Sequence, residues 1–176
     1  NASSLSMIIR LCLEDHLPEV ANVYWALLPK PEQRKLEEEP PFSTSLDTLF
    51  AYRKEFKRAI AYCLRKARWC DPGSPTDALA YYRLAVQWQT HTATNYLADD
   101  VYDSIERLFF AHLPSDQDLW TSNLHSTVCQ LDVLHKKEYA DRLLKKALSR
   151  TFSQRLTTSA RANLNMVAAD VMKRRH

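Results

Sequence analysis

Glycine is almost missing from these 176 residues: there is one, Gly73, where average usage would place roughly 12. Backbone that wraps a phosphate, carries a dinucleotide fingerprint or lifts a nucleophile onto a sharp turn needs glycine for close approach or positive φ. Those catalytic classes therefore have no motif here. Asn-Gly and Asp-Gly dipeptides are absent as well, which removes the commonest two-residue hairpin turns and argues against a β-meander or sandwich. No apolar run approaches the ~18 residues of a membrane span and there is no signal-peptide core, so no membrane contact is expected. An initiator methionine is also lacking, which points to a processed chain or a fragment, with any targeting segment outside it. Cys12, Cys63, Cys70 and Cys129 show no paired framework, so reduced thiols in an intracellular chain of unassigned compartment are expected.

What is present is ordinary for a globular domain: 45% hydrophobic and 26% charged residues, in a length that suits a single domain over 1–176. The apolar spacing is helical almost throughout. A first helix is expected from Leu5 to Asp15 and a second from Pro18 to about Leu28, stopped by Pro29 and Pro31. Residues 32–43, with Glu37-Glu38-Glu39 ahead of Pro40-Pro41, read as an acidic, proline-rich linker between this helix pair and the main body. A long third helix, Ser45 to Trp69, follows a capping box at Thr44-Ser45-Leu46-Asp47. The fourth, Pro75 to Gln89, opens on Ser74-Pro75-Thr76-Asp77, just past the one glycine. The fifth spans Asn95 to His112, and a third capping signature at Ser115 to Asp118 begins the sixth. The seventh runs from Lys136 to Arg150 and the last from Ser153 to about Lys173. The fold class is all-α, with seven to eight helices in antiparallel hairpins, stacked as a short solenoid or gathered into an irregular bundle.

One segment carries a family pattern. Leu119-Trp120-Thr121-Ser122-Asn123-Leu124, Cys129, a turn at Asp132 to His135, and Ala140-x-x-Leu143-Leu144-x-x-Ala147 together resemble a pentatricopeptide- or tetratricopeptide-type α-hairpin repeat over 119–150. Small Ala140 and Ala147 let paired helices approach closely. Phe56 to Trp88 reads as a second hairpin and Leu5 to Leu28 as a shortened third. The pentatricopeptide resemblance implies single-stranded RNA binding through polar positions of each first helix, and Asn123 is the residue here that stands near such a position.

Charge is unevenly placed. From residue 135 onward there are eleven Lys and Arg against three acids, a local +8, while the preceding 134 residues sum to −5. The third helix is also basic, with Arg53, Lys54, Lys57, Arg58, Arg65, Lys66 and Arg68 against Glu55. Basic helix faces of this kind suit an acidic protein or a phosphate backbone, although they also occur as plain solvated faces. Asp99, Asp100, Asp103 and Glu106 form an acidic cluster opposite the Leu97/Val101/Ile105 stripe, read as a solvated face or an acidic contact surface. Two i, i+4 pairs, Cys12/His16 and His125/Cys129, have a spacing that suits metal ligands. Nothing in the sequence brings the two pairs together, and cysteine on an apolar stripe is ordinarily a small buried hydrophobe, so no metal and no cofactor are expected. No Glu-x-x-His motif or presented serine suggests an enzyme.

The expectation is a non-catalytic helical-repeat-like module, a piece of a larger assembly, that binds a macromolecular partner. Arg53, Lys54, Lys57, Arg58, Asn123, Lys136, Lys137, Arg142, Lys145 and Lys146 are the candidate contact residues. A protein partner, acidic in character, is the first reading. The alternative is single-stranded RNA, with Lys136, Lys137, Arg142, Lys145 and Lys146 on phosphates.

Overall fold

The computed structural model of the chain describes residues 1–39, 45–111 and 113–175. Those residues form helices and no strand, so the all-α expectation holds, but there are eleven helices rather than seven or eight. They are α1 (Ala2–Glu14), α2 (Pro18–Leu27), α3 (Lys30–Glu38), α4 (Leu46–Tyr52), α5 (Phe56–Cys70), α6 (Pro75–Gln89), α7 (Asp99–Ala111), α8 (Gln117–Val133), α9 (Lys137–Leu148), α10 (Arg150–Ser153) and α11 (Thr158–Arg174). Packing divides the chain into two compact units, 1–96 and 97–176, where one domain with a linker at 32–43 was expected. Part of that linker is α3, which starts on Pro29 and Pro31 and buries Gln33 and Leu36. Residues 40–43, Thr44 of the first capping box, His112 at the end of the fifth helix and His176 of the tail lie outside the described residues.

The extra helices have local causes. Apolar spacing lapses between Phe50 and Phe56, where a continuous helix would turn Arg53 and Lys54 toward the core, so the expected third helix breaks there into α4 and α5. Ser149, with an extended ψ of 143°, separates α9 from the single turn of α10, whose Phe152 is buried.

Three of the junctions share one design. α1, α4 and α8 each end on a residue with left-handed backbone: His16 (φ 58°), Lys54 (φ 60°) and His135 (φ 57°). In each case the next N–H returns five residues to close the helix end: Leu17 to Cys12 O at 2.7 Å, Glu55 to Phe50 O at 2.8 Å, and Lys136 to Leu131 O at 2.8 Å. The inner bond is also present, from His16 to Leu13 O, Lys54 to Ala51 O and His135 to Asp132 O. These are full Schellman closures, which ordinarily place glycine at the left-handed position. Here an L side chain accepts a strain of roughly 1–2 kcal/mol each time. Leu17, Glu55 and Lys136 then serve directly as N-caps of α2, α5 and α9, so one helix follows the other with no spare residues. Gly73, by contrast, has ordinary φ, and a Cβ added there would meet open space.

Within the first unit α1 packs on α2, α2 on α4, α4 on α5 and α5 on α6. Its core is aromatic where α2, α4 and α5 meet, with Trp25 edge-on to Phe50 at 5.8 Å and Phe50 edge-on to Tyr62 at 6.0 Å. Two buried amides replace missing backbone partners. Gln33 donates to the carbonyls of Trp25 and Leu28, both at 2.9 Å, closing the C-terminus of α2 from α3. Gln89 donates to Thr94 O and accepts from Tyr96 N–H, both at 2.8 Å, shaping the turn after α6. In the second unit α8 packs on α9 and α11, α10 on α9, and α7 on α9. Trp120, Phe109, Phe110 and Phe152 form its aromatic cluster, and the Trp120 indole donates to Phe109 O at 3.1 Å.

Asp47, in the first turn of α4, is buried, and the Trp88 indole donates to its Oδ2 at 3.0 Å while Oδ1 has no partner. Burial raises its carboxyl above the ordinary value, and the Trp88 bond offsets this only in part. A carboxyl raised on folding holds its proton more tightly in the native state, so its contribution to stability falls as pH rises through the carboxylate range.

Two outcomes follow for folding measured by urea. His135→Gly gains about 0.5–1 kcal/mol by removing left-handed strain, whereas His135→Val loses stability and Gly73→Ala loses none. Asp47→Asn is more stable than the parent at pH 7 by roughly 1–2 kcal/mol, the scale of a poorly satisfied buried polar group. That advantage shrinks as pH falls and the parent's Asp47 takes up its proton.

Candidate functional site

Most of the expected basic surface is engaged within the chain. On the first unit, Arg53 donates to Glu55 at 2.6 Å and to Asn22 at 2.7 Å. Arg58 bonds Glu55 at 2.8 Å and Glu37 of α3, and its guanidinium lies 4.4 Å from the Phe50 ring centre. It is the hub that fastens α3 to α4 and α5. Lys66 is buried, donates to the Glu39 carbonyl, and is held below the ordinary lysine value by burial and by Arg65. Thus Glu37 of the acidic stretch pairs with Arg58 and Arg65 of α5, while the Glu39 carboxylate pairs with Arg10 of α1. Lys54 and Lys57 remain exposed, with Lys57 5.8 Å from the Tyr96 ring centre, and both line a groove of about 460 Å³ with Phe56 and Tyr96.

On the second unit, α9 meets the acidic cluster of α7 as a ladder. Lys136 pairs with Asp99 at 3.3 Å, Arg142 with Asp103 at 2.5 Å and Glu106 at 2.9 Å, and Lys146 with Glu106 at 3.3 Å. Aromatic rings back the ladder: Arg142 sits over Tyr139, Lys136 over Tyr102, and Lys146 over Phe110. The acidic contact surface anticipated at Asp99, Asp103 and Glu106 contacts the chain's own basic helix. Lys137 and Lys145 point away and are exposed, and Asn123 is half-buried on α8. The ten candidate residues divide between the two units, and within each unit between paired and exposed positions.

The sequence offered no reason to set a surface of α11 against the His125/Cys129 pair of α8. A groove of about 310 Å³ runs between the two helices, lined by Asp118, Ser122 and His125 from α8 and by Asn163, Met166 and Asp170 from α11. Asp118 fixes one end, accepting from Ser159 Oγ at 3.1 Å and Asn163 Nδ2 at 2.9 Å. At the other, His125 Nε2 is 2.8 Å from Asp170 Oδ2, and Arg174 reaches Asp170 at 2.9 Å and Cys129 Sγ at 3.3 Å. The His125 bond, reinforced by Arg174, holds the Asp170 carboxyl below its ordinary value. Burial pushes the Cys129 thiol up, the opposite of what nucleophilic catalysis requires. The signal for this place was half visible: His125/Cys129 is an i, i+4 pair, and Asp170/Arg174 is its counterpart on the helix that packs against it.

No family model, curated protein or solved structure matches this chain. The functional reading therefore rests on surface chemistry. No helix among the described residues is long and apolar enough to cross a membrane.

The ladder on α7 and α9 is exposed, so each pair contributes about 0–1 kcal/mol and is screened by salt. A double-mutant cycle with Arg142→Gln and Asp103→Asn gives a coupling below about 1 kcal/mol at low salt that disappears at high salt. A coupling that persists in high salt would contradict this placement.

Proposed function

We propose that the chain is a non-catalytic helical interaction module that docks a protein partner through the apolar outer faces of α1 and α2. One observation carries this reading. Among the described residues, six of the thirteen exposed large apolar side chains fall between Met7 and Leu27: Met7, Leu11, Leu17, Val20, Val23 and Leu27. Met7 and Leu11 are one turn apart and 65% and 53% exposed, while Val23 and Leu27 are one turn apart and 59% and 64% exposed. Fully covering such a side chain is worth up to ~1.5–3 kcal/mol, whereas recruiting Arg58 or Arg142 requires breaking a pair already made. The magnitudes thus favour the apolar stripe over the basic faces. The repeated Schellman junctions after α1, α4 and α8 support a reading as helical hairpins of one type, as in pentatricopeptide- or tetratricopeptide-like repeats.

A photo-crosslinking amino acid placed in cells at Leu11, Val23 and Leu27, and in parallel at Lys137 and Lys145, tests the proposal. Crosslinks to a single protein are expected from the first set, and are lost with Val23→Glu/Leu27→Glu in a chain whose thermal midpoint is unchanged. Crosslinks only from the lysine set would overturn it.

The single-stranded RNA reading has one observation in its favour, the groove that brings Lys54 and Lys57 beside Phe56 and Tyr96. It predicts binding that weakens steeply with salt and drops in Lys54→Gln/Lys57→Gln, measured by fluorescence anisotropy. No binding at low salt would exclude it.

A further inference from the structure

We propose that His125, Cys129 and Asp170 form a binding site for a divalent transition-metal ion of the zinc class. One donor atom from each of the three lies within 4.8 Å of the other two. Helical spacing places His125 and Cys129 on one face of α8, and the packing of α11 on α8 brings Asp170 opposite them. Three donors bound to one four-coordinate ion stand roughly 3.3–3.8 Å apart. The His125–Asp170 pair, now 2.8 Å apart, opens slightly to admit an ion, and Cys129 closes on it, movements within the range of side-chain torsions. All three side chains are half-buried, accessible enough for entry and shielded enough to hold.

A second observation shows that two of these donors, Asp170 and Cys129, already converge on a positive charge. The Arg174 guanidinium bridges Asp170 Oδ2 and Cys129 Sγ from the last turn of α11, on a side chain that is more than half exposed. A guanidinium gains little from a thiol, whereas a soft or borderline metal gains a strong bond from a thiolate. On binding, the Cys129 proton passes to solvent, the sulfur and the His125 nitrogen take two coordination positions, an Asp170 oxygen takes the third, and Arg174 swings out. The fourth position faces the groove beside Ser122 and Met166 and is open to water or another ligand. The nitrogen, sulfur and oxygen donor set selects zinc, cobalt or copper over magnesium and calcium, which prefer oxygen alone.

Cobalt(II) titrated into the full chain under reducing conditions tests the site. The expected result is a near-ultraviolet thiolate-to-cobalt band with the visible bands of four-coordinate cobalt, both bleached by zinc. Cys129→Ser abolishes the thiolate band, and His125→Ala and Asp170→Asn weaken binding by about tenfold or more. Arg174→Ala removes no ligand and relieves repulsion between like charges, so it tightens binding by about tenfold. Cys12→Ser, which breaks the other i, i+4 cysteine–histidine pair, leaves the spectrum unchanged. The proposal is overturned if no thiolate band forms at millimolar cobalt in either the parent or Arg174→Ala. It is equally overturned if the band survives Cys129→Ser or vanishes with Cys12→Ser.

Discussion

Ending one helix and starting the next without glycine is the constraint on which the rest of this structure depends. A Schellman closure needs one residue in left-handed backbone, and the chain supplies His16, Lys54 and His135 in turn. The closures hold because each satisfies two orphan carbonyls at a helix end, and the following residue caps the next helix without a spacer. α1 is thereby set against α2, α4 against α5, and α8 against α9, so the register of each pair is decided by a two-bond turn rather than by a loop.

Electrostatics acts within this frame as self-recognition. The basic helix α5 is met by Glu37 of α3, and the basic helix α9 by Asp103 and Glu106 of α7. Arg58 shows how charge and packing combine, since its guanidinium lies on Phe50 while Glu37 and Glu55 compete with water for its donors. The exposed ladder on α7 and α9 adds little energy by comparison, but it determines which surface remains for others. With these cations satisfied internally, the outward chemistry of the described residues includes the exposed apolar side chains of α1 and α2, the lysines at 54, 57, 137 and 145, and the groove between α8 and α11.

The all-helical class and most helix cores were legible in the sequence. Stripes such as Leu97, Val101, Ile105, Leu108 and Phe109 read as buried and are buried. The helix boundaries that were misjudged lie where local chemistry is weak. Lys54 does not advertise a left-handed turn, and the prolines around Lys30 were read as breakers although Pro29 and Pro31 can open a helix. The candidate site was less legible. Lys136, Arg142 and Lys146 carry the same residue types whether they face a partner or α7, and only their distance from Asp99, Asp103 and Glu106 distinguishes the two. Asp170 and Arg174 gave no signal, because nothing in a one-dimensional pattern says that their helix packs on the one bearing His125 and Cys129.

By itself, then, the scarcity of glycine determined which motifs the sequence does without: glycine-rich phosphate loops, nucleophile elbows and Asn-Gly or Asp-Gly hairpin turns. Helical periodicity determined what it is built from. Tertiary structure decided where the strain of helix closure falls, because left-handed backbone is set by the closing hydrogen bonds and not by the side chain that tolerates it. It also decided which charges remain for the outside, because complementary helices more than thirty residues apart in sequence quench each other only once packing brings them within reach.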